Sequence, residues 1–135
     1  PERKVLAVGL RGSYSPERFA EGRKALEAWL VTHPEWKAAG TPYKVGKVPF
    51  QAIAKAIIGG EYEGFAKVIT NTENQDTLGV HIVGPHATDL IAEASLAFEL
   101  DATAWEIGGS THAHPTLSEV VGEAAMAVDG RSINF

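Results

Sequence analysis

The 135-residue chain contains no cysteine. That excludes thiol chemistry and thiolate metal sites within it, and it fits a cytosolic origin. No apolar stretch is long enough to cross a bilayer, and no signal peptide stands at the start. The longest apolar tract near the N-terminus, Val5 to Leu10, is only strand length. Lysine and arginine form no runs, and the net charge is −5, so no nucleic-acid footprint is expected. Internal repeats and low-complexity linkers are also lacking. What is present is an ordinary globular composition, 44% hydrophobic and 21% charged. A chain of this size suits one domain, here 1–135, and buries roughly two-thirds of its unfolded surface.

Val5-Leu6-Ala7-Val8-Gly9-Leu10 reads as a buried strand. Ser15-Pro16-Glu17 opens a helix: a capping hydroxyl, a proline at the first helical position and an acid in the first turn. Phe19, Leu26, Trp29 and Leu30 continue it to His33-Pro34, where it breaks, and one or two further turns close at Gly40. Tyr43 to Phe50 alternates as a strand that ends, or lies at an edge, at Pro49. Gln51 to Ile58 is a short helix or an irregular connection. Glu63 to Thr72 and Thr77 to Val83 form a hairpin around Glu73-Asn74-Gln75-Asp76. Thr88 to Leu100 is an amphipathic helix, with Leu90, Ile91, Ala94, Leu96, Ala97 and Leu100 on its buried side. Trp105 to Ile107 is a short helical turn. Leu117 to Val128 is a final helix, with Val120, Val121, Ala124 and Val128 on one side. This order implies an α+β domain: a mostly antiparallel sheet with helices packed on one face, the other face free for a partner.

His112-Ala113-His114-Pro115-Thr116-Leu117-Ser118-Glu119 is the most informative segment. Pro115 keeps His114 out of the helical region, so His114 sits in a loop ahead of a helix that Pro115 or Thr116 opens. Glu119, within about a turn of that start, is close enough to reach the His114 ring. A carboxylate on one ring nitrogen fixes the tautomer and raises the basicity of the other. That is the construction of a general base, or of a metal ligand with a supporting partner. The plainer alternative is a glutamate at the positive end of a helix dipole beside two incidental histidines.

Phe65-Ala66-Lys67-Val68-Ile69, Leu78-Gly79-Val80-His81-Ile82-Val83-Gly84-Pro85, Ile91-Ala92-Glu93-Ala94 and the His112–Glu119 segment, in that order, resemble one family. It is the C-terminal dimerisation (interface) domain of dihydrolipoamide dehydrogenase and related pyridine nucleotide–disulfide oxidoreductases. Val8-Gly9-Leu10 and Tyr43 to Phe50 also fit, so the resemblance covers about residues 1–10 and 37–135. It implies a two-fold homodimer contact. It also implies that His114 is the catalytic base and Glu119 its orienting carboxylate, serving a flavin and redox disulfide in the opposite subunit. His112 matches a position that is usually histidine but is not the base. A cytoplasmic location follows from the same resemblance.

The family enzyme also needs a Gly-x-Gly-x-x-Gly dinucleotide turn and a reactive cysteine pair, and this sequence has neither. The expectation is therefore no bound cofactor: FAD and NAD belong to the full-length family enzyme, and this chain alone does not turn over dihydrolipoamide. Residues 11–36 depart from the family pattern as a longer helical segment. Ile53, Ile57 and Ile58 stand where polar or basic residues are usual, Trp105 where an acid is common, and Gly108-Gly109 where an arginine is usual. With the chain starting at the domain's edge, these features suggest an isolated interface domain engineered as a scaffold. Its partner-binding surface would be Tyr14, Trp29, Trp36, Ile53, Ile57 and Trp105. The partner would be a second copy or a foreign protein, with no nucleic acid and no membrane. A second reading is a dihydrolipoamide dehydrogenase fragment that supplies the His–Glu pair and the dimer contact to a full enzyme. A third, ranked last, is a metal site using His112, His114 and His81 or His86.

Overall fold

The structure is a computed structural model and describes residues 42–135. The strand at Val5–Leu10, the helix from Ser15 to Pro34, the non-family segment 11–36 and its residues Tyr14, Trp29 and Trp36 lie outside the described residues.

Three strands form one antiparallel sheet in the order β1 (Tyr43–Pro49), β2 (Phe65–Asn71), β3 (Thr77–Val83). Register follows from alternation. Val48, Ala66 and Ile82 lie side by side in one row, and Gly46, Val68 and Val80 in the next. All six are buried. The opposite face carries the row Lys47, Lys67 and His81. The hairpin between β2 and β3 is closed by its own polar side chains. Asn71 Oδ1 accepts from Glu73 N–H at 2.8 Å, and Asn74 Oδ1 accepts from Asp76 N–H at 3.1 Å. These are Asx turns, the local bonds for which Asn suits such corners.

After Pro49 the chain makes a short 3-10 turn (Phe50–Ala52) and then α1 (Ala54–Gly59), so the stretch expected as helix or irregular connection contains both. Farther on come α2 (Ala87–Glu99), α3 (Ala104–Gly109) and α4 (Glu119–Ala127). Residues of α2, α3 and α4 bury themselves in the same core as Val48, Val68 and Val80, which places the helices on one face of the sheet, as the sequence order implies. Within α4, Val120, Val121 and Ala124 are fully buried. The helix α3 is capped reciprocally: Thr103 Oγ1 accepts from Trp105 N–H at 3.2 Å, and Glu106 accepts from Thr103 N–H at 2.9 Å.

Two expectations change. Leu96 and Leu100 were assigned to the buried side of their helix, but both are exposed and only Ala94 and Ala97 are buried. The fully buried stripe of α2 is narrow, with Leu90, Ile91 and Phe98 packed against the core at its edges. The last helix starts at Glu119, with Ser118 before it already in the helical region, rather than at Pro115 or Thr116. Among the described residues no helix is long and apolar enough to cross a membrane.

Candidate functional site

The loop from Ser110 to Ser118 runs between α3 and α4 and carries both histidines. Glu119, the first residue of α4, turns its carboxylate back over this loop. One oxygen lies 2.8 Å from His114 Nδ1, and the other accepts from Thr116 N–H at 2.8 Å. Thr116 Oγ1 donates to Ala113 O at 2.6 Å and tightens the same turn. The His114–Pro115 peptide bond is cis. The contact expected from the sequence, the Glu119 carboxylate on the His114 ring, is therefore present.

Burial divides the pair. The His114 side chain is 71% exposed and that of Glu119 only 15%. An ionised carboxylate only accepts hydrogen bonds, so Nδ1 carries the shared proton. In the neutral ring Nε2 is then a lone pair facing outward, with no partner among the described residues. Burial acts to raise the Glu119 pKa, but the Thr116 N–H and the His114 ring outweigh it, and the net direction is below the ordinary carboxylate value. The positive end of α4 favours the same ionised form. The site thus holds an ionised acid behind an exposed imidazole.

A second histidine–carboxylate pair stands behind the first. His112 Nε2 lies 2.8 Å from Glu93 Oε1 on α2, and His112 Nδ1 lies 3.1 Å from the Ser110 carbonyl. Its ring rests on Gly122 of α4, where an added Cβ would come within 2.8 Å of ring atoms. The hydrogen bond to Glu93 is the main cause that raises the His112 pKa, against burial. His112 and His114 thus engage separate carboxylates. His86 instead faces Asp89 at 3.2 Å, and His81 lies on β3 with its pKa pushed down to about 4, first by burial and then by Lys67. Among the described residues no group of three or more His, Cys, Asp or Glu is disposed to hold a metal. The chelate through His112 and His114 is accordingly not assembled.

The expected partner surface is only partly on the surface. Ile53 is 1% exposed and belongs to the core, because the 3-10 turn before α1 rotates it inward beside Phe50. Its assignment to a partner-binding surface is therefore corrected. Ile57 is 57% exposed and Trp105 is 60% exposed, with the Arg131 guanidinium 4.1 Å from the Trp105 ring centroid.

Two carboxylates escaped the sequence reading. Glu93 falls on the stripe of α2 defined by Leu90, Ala94 and Ala97, and a charge on a buried stripe is itself a signal of a partner. Glu123 is the only charged residue between Val120 and Val128. It is buried, and its two oxygens accept from Ser132 Oγ, Ile133 N–H, Asn134 N–H and Asn134 Nδ2. An FAD or NAD crevice of the dinucleotide type requires parallel βαβ units. The described sheet is wholly antiparallel, so the described residues form no crevice of that type.

Comparison with known proteins agrees with this geometry. Residues 31–125 match the family described as pyridine nucleotide-disulphide oxidoreductase, dimerisation domain. The dihydrolipoyl dehydrogenase of Bacillus subtilis is 54% identical over 105 residues, covering 78% of this chain and 22% of that protein. Dihydrolipoyl dehydrogenase 3 of Pseudomonas putida is 48% identical over 104 residues, 77% of this chain and 22% of its own length. The chain thus spans about a fifth of these relatives. Among solved structures, LpdA from Mycobacterium tuberculosis superimposes with a TM-score of 0.61 at 24% identity, over 69% of this chain and 20% of its own. The flavoprotein disulfide reductase RclA from Escherichia coli does so with a TM-score of 0.63 at 18% identity, over 68% of this chain and 21% of its own. Both superpositions speak to fold alone. The chain belongs to the dimerisation-domain family of the pyridine nucleotide-disulphide oxidoreductases.

Proposed function

We propose that this domain acts within a dihydrolipoamide dehydrogenase-type enzyme, where it pairs with a second copy of itself and presents His114 as a proton acceptor. The observation that carries the reading is the His114–Glu119 contact at 2.8 Å with the ring exposed and the acid largely covered. Glu119 holds the proton on Nδ1, and Nε2 takes a proton from a group brought to it from elsewhere in the assembly. Thiols and cofactors would be supplied by other parts of that enzyme, because this chain has no cysteine and its described residues form no dinucleotide crevice of that type. The chain alone is then without catalysis of its own. Its place is the cytoplasm.

The engineered-scaffold reading has less to support it. Ile53 is in the core, and the family match runs through Trp36, Ile57 and Trp105.

The test is a chimera in which the matched stretch of the Bacillus subtilis dihydrolipoyl dehydrogenase is replaced by that of this chain. Dihydrolipoamide oxidation should persist. His114→Ala should then lower it by about 10²- to 10⁴-fold, the range for a lost general base. Activity indifferent to His114→Ala would refute the assignment. Light scattering on the 135-residue chain tests self-association separately: a dimer supports the pairing, and a monomer at all concentrations opposes it.

A further inference from the structure

His112 has two ring nitrogens, and each faces a group that can only accept. Nδ1 faces the Ser110 carbonyl at 3.1 Å, and Nε2 faces the Glu93 carboxylate at 2.8 Å. A neutral imidazole has one N–H and satisfies one of them, whereas the imidazolium donates to both. The ring is also mostly buried, with 12% of the side chain exposed, and its Nδ1–Cε1 edge packs against Gly122. Among the described residues the charged groups that face it are Glu93 on α2 and Glu119 on α4. When protonated, His112 is therefore a cation held between two helices, two residues before His114 and behind its carboxylate.

We infer that His112, clamped by Glu93, is a positioning residue for the His114–Glu119 pair. It pins the Ser110–Ala113 segment to α2 and α4, so that His114 leaves the loop with Nδ1 toward Glu119 and Nε2 outward. Its positive charge also faces Glu119 and favours the ionised acid that holds this tautomer. Without the clamp, the loop keeps its ties at Ser110 to α3 and at Thr116, but nothing pins the segment between them, and the neutral His114 ring is free to take the Nε2–H form. That form spends the acceptor a base needs. The inference rests on the reading of His114 as the base, but its consequence is a property of the ring itself.

The test is the tautomer of His114, read from ring ¹⁵N shifts on the labelled 135-residue chain. The native chain should show the Nδ1–H form in the neutral ring. His112→Ala and Glu93→Ala should each move it toward the Nε2–H form, and the double variant should move it no further, since both remove one clamp. His86→Ala removes a different histidine–acid pair, His86 with Asp89, and should leave His114 unmoved. If His112→Ala does not fold, Glu93→Gln decides, because it keeps size and an acceptor oxygen but loses the charge. It should lower the His112 pKa and shift His114 part of the way. An unchanged His114 tautomer in folded Glu93→Gln or His112→Ala protein overturns the inference, as does a response to His112→Ala that Glu93→Ala fails to reproduce. No turnover is needed, so failure of the chimera assay and failure of this one are separate results.

Discussion

Gly46 of β1 and Ala124 of α4 meet backbone to backbone. A Cβ built on Gly46 would stand 2.1 Å from the Ala124 carbonyl oxygen and 2.4 Å from Val128 N. The site depends on this contact, because α4 carries Glu119 at its first turn and Gly122, the rest for His112, between. Close approach of helix to strand sets where the acid begins.

Gly46→Ala should therefore force α4 away from the sheet. The obstructing atoms are backbone and cannot swing aside, so the cost should reach the upper part of the overpacking range, about 3 kcal/mol or more. Chemical denaturation checks the loss. If folded protein survives, the His114–Glu119 ring signals should shift with it. A cost under about 1 kcal/mol would mean that the helix has room to move.

Ile53 and Ile57 lie four residues apart but in opposite environments. Ile53→Ala should cost about 2–5 kcal/mol, as for other buried isoleucines cut to alanine. Ile57→Ala should fall within about 0.5 kcal/mol, as surface substitutions do. Parallel urea melts would decide, and equal effects would return Ile53 to the surface.

That contrast shows where the sequence was legible. Strand β3 has the bounds that alternation implies, Thr77 to Val83, because a hairpin between polar corners leaves little choice. The His114–Glu119 pair was legible because proline, loop and helix start are local features. Ile53 was not, since its direction depends on a 3-10 turn that period-based reading does not resolve. Leu96 and Leu100 misled for a related reason: the helical stripe is wider than the surface it meets. Glu93 and Glu123 each pair with a residue at least nine positions away, and only the tertiary structure brings those partners to them.

Glu123 fastens residues 132–134 with four donors on one buried carboxylate. Glu123→Ala should release that segment. Amide exchange at Ile133 and Asn134 should accelerate, with exchange in β2 little changed. The stability loss should be at least about 1.5 kcal/mol, the low end for a single hydrogen bond to a charged group. Unaltered exchange at both amides would show that the segment is held by something other than this carboxylate.

Three titrating groups pull stability in different directions with pH. His81 has its folded pKa pushed down to about 4, so the unfolded chain binds its proton first. Stability should fall as pH drops from the ordinary histidine value of about 6.5 toward 4. The effect is roughly 1–3 kcal/mol, since one pKa unit is about 1.4 kcal/mol and the ring keeps some solvent. His112 is shifted the other way, so its contribution is complete below about 6.5 and is lost as pH rises through its raised folded value. Glu119, lowered, contributes above its ordinary value and is lost only on deeper acidification. Thermal melts across pH 4 to 9 should then show that His81→Gln flattens the acid limb and His112→Gln the alkaline one. If His81→Gln leaves the slope between about pH 6.5 and 4 unchanged, the ring is not buried against Lys67 in the way that this register implies.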